Sequence, residues 1–284
     1  MKNIDRRTAL AGFGTVGLGA LLAACAGPES TTRQVATTTG GTATVQPTTA
    51  SSTGLAALFE DASTCVLTEE VTQGPYHFDA DRIRSDIRED RQGSTLRVAI
   101  RVQDATTCEP IPSAVVEIWH CDAGGLYSGF ESASRAVGGD GPTGERPTGV
   151  PPSGGPGGPG AGGRRPGAGD GTPTDEGRYL RGAQVTNADG IVEFVTIYPG
   201  WYQGRSVHIH AMVHIGNARV LTTQMFFDEK VSDRVYAARP YAGHTGQRLR
   251  NDSDSFYDDS LLMKLTREGA GHLGVMTFSA PAKR

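Results

Sequence analysis

Tyr202-Gln203-Gly204-Arg205-Ser206-Val207-His208-Ile209-His210 is the stretch of this chain best suited to chemistry. Along an extended strand successive side chains alternate faces, so His208 and His210 point the same way, roughly 7 Å apart. Two imidazoles on one face can share a metal ion. Tyr202 stands six residues before His208 across a Gly-containing turn and can bring a phenol oxygen to the same point. A phenolate is a hard anionic donor, which points to a hard trivalent ion, iron(III) first. His-x-His alone would be weak evidence, because strand histidines are often simply hydrogen-bonded to their surroundings.

A second segment sharpens the reading. Val115-Val116-Glu117-Ile118-Trp119 is an apolar, β-branched run that leads through His120-Cys121-Asp122 to the Gly124-Gly125 turn, with Tyr127 just beyond. At this point the chain resembles the intradiol ring-cleavage dioxygenases, the family of catechol and protocatechuate 3,4-dioxygenases. That family holds iron(III) with two tyrosines and two histidines. Its first tyrosine follows a Trp-containing strand and a Gly turn, matched here by Trp119, Gly125 and Tyr127. Its second follows a Pro-Gly pair shortly before Arg-x-x-His-x-His, matched by Pro199-Gly200-Trp201-Tyr202, Arg205, His208 and His210. Thr72-Gln73-Gly74-Pro75-Tyr76 is similar to the segment beside the family's substrate pocket, and Thr223-Gln224 stands where the family has a supporting glutamine. The resemblance spans about residues 65–228.

The resemblance implies an iron(III) cofactor with Tyr127 and His210 as equatorial ligands and Tyr202 and His208 as axial ones. It implies cleavage of a catechol-type ring by O2 to a cis,cis-muconate-type diacid. Tyr202 would leave on substrate binding and act as base, Arg205 would stabilise carbanion character on the ring with Gln224 behind it, and Tyr76 would line the substrate pocket. The plainer roles are an ion pair of Arg205 with a carboxylate such as Asp122, and a core position for Tyr76. His120 reads as a hydrogen-bonded strand histidine, and His214 lies about 14 Å along the strand from His208, too far to share its metal. Two other functions compete: a catalytically silent cell-surface binding lipoprotein on the same fold, and a copper or zinc protein that uses the histidines without the tyrosines.

The elements that must position these residues read as strands. Signals fall at Thr95–Gln103, Ser113–Cys121, Gly190–Thr196, Val207–Ile215, Ala218–Phe227 and Gly274–Ser279, separated by turns such as Asn187-Ala188-Asp189-Gly190. Helical periodicity is confined to Leu55–Asp61 and Ser260–Arg267. The pattern predicts an all-β antiparallel sandwich with the active site at one end among loops. Residues 138–171 hold fifteen glycines and seven prolines in 34 positions and no aromatic, a composition that builds no core, so they read as a disordered insertion.

Residues 1–24 carry an export signal: Arg6-Arg7 resembles a twin-arginine motif, and a short apolar run leads to Leu22-Ala23-Ala24-Cys25, which looks like a lipobox with Cys25 as the lipidated residue. A Thr-rich tether over 25–60, with ten threonines in residues 31–53, then leads to a catalytic domain over 61–284. The expected location is the cell envelope, with membrane contact only through the lipid, or simple secretion. A formal net charge of −4 and the absence of a basic cluster exclude a nucleic-acid partner from the reading; the partners expected are a small aromatic diol and O2. Cys108 and Cys121 flank one strand and are too far apart to bridge, so Cys65 must be half of any disulfide. Cys108 is favoured as its partner because Cys121 adjoins the presumed metal turn; three free thiols are the alternative.

Overall fold

The computed structural model describes residues 33–36, 42–45, 52–59, 65–80, 82–138, 171–216 and 218–282. The export signal, Cys25, most of the tether and the insertion between 139 and 170 lie outside the described residues. Within the stretch expected as a tether, Arg33–Ala36 (β1) pairs antiparallel with Thr42–Val45 (β2). Ser52–Leu55 (α1) then forms a helical turn, continued by a 3-10 turn at Ala56–Phe59.

The folded body is a β-sandwich. One sheet holds Thr95–Asp104 (β3), Ile191–Ile197 (β6), Lys264–Glu268 (β9) and Gly271–Ala280 (β10) in the order β6-β3-β10-β9. The other holds Val115–Trp119 (β4), Arg181–Val185 (β5), His208–Ile215 (β7) and Ala218–Phe226 (β8) in the order β5-β4-β7-β8. All pairs are antiparallel except β3 with β10, which run parallel.

Alternation explains both the core and what lies outside it. Leu96, Val98, Ile100 and Val102 of β3 meet Val116 and Ile118 of β4 and Ile209, Ala211 and Val213 of β7 in the main core. The opposite face of the first sheet carries Ala99, Ile191, Leu273 and Val275, and this second apolar patch is covered by Leu55 and Phe59, four residues apart on one helical face. The opposite face of the second sheet carries Trp119 and Met212, which cluster with Phe78, Cys121, Tyr127 and Phe130. The chemistry lies on this outer face. Cys65 is bonded to Cys108, Cα to Cα 5.2 Å, fixing the chain before β3 to the loop after it; Cys121 is a buried free thiol.

Three local expectations need correction. Residues 260–267 are not a helix: a 3-10 turn at Asp259–Leu261 gives way to β9, which pairs with β10 across a turn whose Gly269 adopts φ +56°. Here the edge ladder with β10 outweighs a weak helical pattern. Two helices escaped the sequence reading, Glu131–Gly138 (α2) and Glu229–Tyr236 (α3), each only eight residues long. The start of α3 has a legible signal, since the Asp228 carboxylate accepts a hydrogen bond from Val231 N at 2.9 Å. Strand β5 was also missed, because Arg181-Gly182-Ala183-Gln184 lacks an apolar run.

Phe59 is 2% exposed and forms much of the cover over the outer patch of the first sheet. Phe59→Ala should therefore cost about 3 kcal/mol, read as a shift of the urea midpoint at unchanged slope.

Candidate active site

Two turns approach each other backbone to backbone and bring the tyrosines together. In the first, the Asp122 carboxylate accepts from Gly124 N and Leu126 N, both at 2.9 Å, and Gly125 adopts φ +84°. In the second, Gly200 N donates to Asp122 O at 3.1 Å. A Cβ on Gly125 would stand 2.4 Å from Trp201 O, and one on Gly200 would stand 2.3 Å from Asp122 O. Only glycine fits at either contact. With the turns in register, the Tyr127 and Tyr202 rings meet edge-on at 5.7 Å.

Tyr127, Tyr202, His208 and His210 converge on one point. Tyr127 OH and Tyr202 OH lie 3.4 and 3.2 Å from His208 Nε2, which lies 3.2 Å from His210 Nε2. His208 Nδ1 is 2.7 Å from Ser206 O, so that nitrogen carries the proton and Nε2 turns a lone pair to the shared point. His210 is closely held: its ring stacks on Trp119 at 5.0 Å and 3°, and a Cβ on Gly74 would meet His210 Cε1 at 3.2 Å. Among the described residues no three His, Cys, Asp or Glu side chains cluster, so the tyrosines complete any metal-binding set.

Burial governs the ionisation of all four. It lowers His208 to about 3 and His210 well below the ordinary imidazole value, in both cases with help from the Arg205 charge. It raises the phenols of Tyr127 and Tyr202, opposed at both positions by Arg205. The protein alone therefore presents two neutral imidazoles and two un-ionised phenols. The tyrosines differ in access, since Tyr127 is fully buried and Tyr202 only partly so.

The structure places the other expected residues around this cluster. Gln224 pairs with His210 across β7 and β8, and its Oε1 accepts from Arg205 Nη2 at 2.5 Å while its Nε2 donates to Thr72 O at 2.9 Å. Arg205 pairs with Asp254, Nε to Oδ2 2.9 Å, and not with Asp122. Asp254 was not legible beforehand, because it stands 49 residues from Arg205 in a loop with no motif around it. Burial alone would raise its carboxyl, but N–H groups of Phe256 and Ser206 and the Arg205 charge hold it below the usual range. Tyr76 packs on Tyr127 at 4.9 Å and on Phe130 at 5.4 Å, at the edge of the cluster.

Other candidates fall outside the cluster. His120 Nδ1 donates to Cys121 O at 2.8 Å, leaving Nε2 to accept from Thr196 Oγ1 at 2.7 Å. His214 sits opposite Val115. A cavity of about 590 Å3 opens beside Trp201, bordered by Tyr236, Tyr241 and Arg248, but none of the four donors lines it.

A two-sheet sandwich with a buried two-tyrosine, two-histidine cluster on an outer sheet face defines a narrow structural class. An intradiol ring-cleavage dioxygenase from Tetranychus urticae shares 32% identity with this chain at a TM-score of 0.63, over 78% of this chain and 96% of that one. The dioxygenase domain of a dioxygenase carbohydrate-binding protein fusion from Streptomyces sp. SirexAA-E shares 25% identity at a TM-score of 0.50, over 76% of this chain and 99% of that one. No family model and no curated protein matches. The chain belongs to the intradiol ring-cleavage dioxygenase family.

Two outcomes follow from this geometry. Gly200→Ala should cost roughly 2 kcal/mol by forcing the two turns apart, whereas Gly243→Ala, which meets nothing within 4 Å, should be close to neutral in the same melting experiment. His120, held neutral by burial, is lowered to about 4 from an ordinary 6.5. The unfolded chain therefore binds more protons below pH 6.5, and stability is present above that value and lost as pH falls towards about 4. The contribution is on the order of 3 kcal/mol over the whole window. Urea unfolding at pH 7 and pH 5 should show a smaller difference for His120→Gln than for the parent chain.

Proposed function

We propose that this dioxygenase opens the ring of a catechol-type diol with O2 to a cis,cis-muconate-type diacid, using iron(III) held by Tyr127, Tyr202, His208 and His210. The observation that carries the reading is the convergence of two phenol oxygens and two imidazole nitrogens, 3.2–3.4 Å apart, at one buried point. The donor chemistry fits the ion. Burial keeps both phenols protonated in the protein alone, and a trivalent cation among them is what would make two phenolates stable there. Iron(III) held there would supply Lewis acidity that favours ionisation of a catechol and the electron-accepting character that opens its ring to O2.

The residues of the chain divide the remaining work. Tyr202, the less buried phenol, would be the one to give way to substrate, its phenolate oxygen accepting a proton from a substrate hydroxyl. Tyr127, fully buried against Tyr76, stays in place. His208 is oriented through the carbonyl of Ser206, and His210 by Trp119 and Gly74. Arg205, held by Gln224 and Asp254, places a cation beside the point where negative charge develops on the ring. Tyr76 and Phe130 wall the cluster against water.

The test is an aerobic assay of the purified chain against a panel of catechols, with product absorbance and iron per chain both measured. His210→Ala should release iron and abolish cleavage. Tyr202→Phe should keep part of the iron, shift the visible charge-transfer band, and lower turnover roughly 100-fold or more. Iron content unchanged in His210→Ala would remove that residue from the ligand set, and a colourless, inactive parent protein after iron loading would favour a binding role on this fold.

A further inference from the structure

The loop that follows α3 returns to the site at Asp254, a buried carboxylate, 6% exposed. Its oxygens are saturated from one side. Oδ2 accepts from Ser206 N at 2.7 Å, Ser206 Oγ at 2.9 Å and Arg205 Nε at 2.9 Å, while Oδ1 accepts from Phe256 N at 3.0 Å. Two of these donors are backbone groups, so the carboxylate is fixed to the main chain at both ends of the contact and not merely resting on a mobile side chain.

Arg205 is consequently held on three sides. Asp254 takes Nε, Gln224 takes Nη2, and the Phe256 ring lies over the guanidinium with its centroid 4.6 Å from Cζ. Nη1 has no hydrogen-bond partner among the described residues. A planar guanidinium with its other edges occupied can present Nη1 in one direction only. A long side chain otherwise loses much rotamer freedom when it meets a ligand, and holding it beforehand removes that cost.

We infer that Asp254 is a positioning residue of the reaction: it fixes the plane of the Arg205 guanidinium so that its one unpartnered edge meets the charge developing on the substrate ring. The inference rests on the reading of Arg205 as the cation beside the substrate. Asp254 itself touches neither substrate nor metal, and its contribution passes through Arg205. A purely structural carboxylate would lower the melting temperature and leave the turnover of folded, iron-loaded molecules unchanged.

Asp254→Asn keeps the size of the side chain but replaces one acceptor oxygen with an NH2 group that faces other donors. In the iron-loaded full chain this variant should keep its iron, lower kcat roughly 10- to 100-fold, and weaken anaerobic catechol binding read from the visible spectrum. In an Arg205→Ala background the same change should lower kcat no further, because the two residues act as a unit. Unchanged kcat in Asp254→Asn, or an equal loss with and without Arg205, would overturn the inference. Should Asp254→Asn fail to fold, Asp254→Glu carries the same pair of measurements: a loss that disappears in the Arg205→Ala background supports the inference, and unchanged kcat or a loss that persists there overturns it. An iron-loaded parent chain that cleaves no diol would overturn the dioxygenase reading and this inference with it, whereas an active parent beside an unaffected Asp254→Asn overturns this inference alone.

Discussion

The contact between the Asp122–Gly125 turn and the Pro199–Trp201 turn is the constraint on which the site depends. Two backbone segments, separated by some eighty residues of chain, touch with no side chain between them. Each leads directly to a tyrosine, so the spacing of the two tyrosine backbones is set by peptide groups in contact. A packed interior resists small displacements, and a shift of even one methyl group here would be felt at the phenol oxygens. The Gly-rich spacing noticed in the sequence is therefore a steric requirement: Gly125 supplies a left-handed backbone conformation and a close approach, Gly200 the close approach alone.

Sheet register does for the other residues what the turns do for the tyrosines. Arg181, Trp119, His210 and Gln224 stand opposite one another across β5, β4, β7 and β8 and form one row on the outer face of the sheet. Directly opposed residues share a face, so this row is fixed by the same hydrogen bonds that build the ladder. A one-residue slip of β7 would send both histidines into the apolar core beside Val98 and Ile118. The register is protected because Ile209, Ala211 and Val213 would then lose that core.

This arrangement also explains which parts were legible in the sequence. Strand alternation and turn signals made the sandwich and the His208–His210 pair readable from the chain, whereas Tyr127, 75 residues from Tyr202, entered the expected set through the family resemblance. What stayed hidden depends on distant loops. Asp254 reaches Arg205 from a loop whose path no local rule dictates, and Asp122, expected as a possible partner for Arg205, is committed to capping its own turn. Residues 260–267 misled because an exposed edge strand lacks the apolar alternation that marks an inner one. The Leu55–Phe59 turn shows the reverse case, in which a short helical signal became meaningful once the first sheet presented an outer apolar patch to cover.

Burial sets the ionisation of the four donors, and Arg205 pulls the two pairs in different directions, favouring phenolate and disfavouring imidazolium. Burial penalises phenolate and imidazolium alike, and the nearest fixed charge, Arg205, is a cation that further disfavours protonated histidine. Asp254, engaged with Arg205 and Ser206, offsets the lowering of His208 only in part. A site meant only for stability would have apolar residues here, since an uncompensated polar cluster is the more costly choice. A multivalent cation held by all four donors would favour the phenolate ionisation that burial opposes. The protein also leaves one of the two phenols less enclosed than the other. That asymmetry is set by the turns: Tyr127 lies inside the aromatic packing of Phe78, Trp119 and Phe130, whereas Tyr202 follows Trp201 at the rim. Moving the rim phenol would break fewer contacts than moving the inner one, so packing alone makes the two phenols inequivalent.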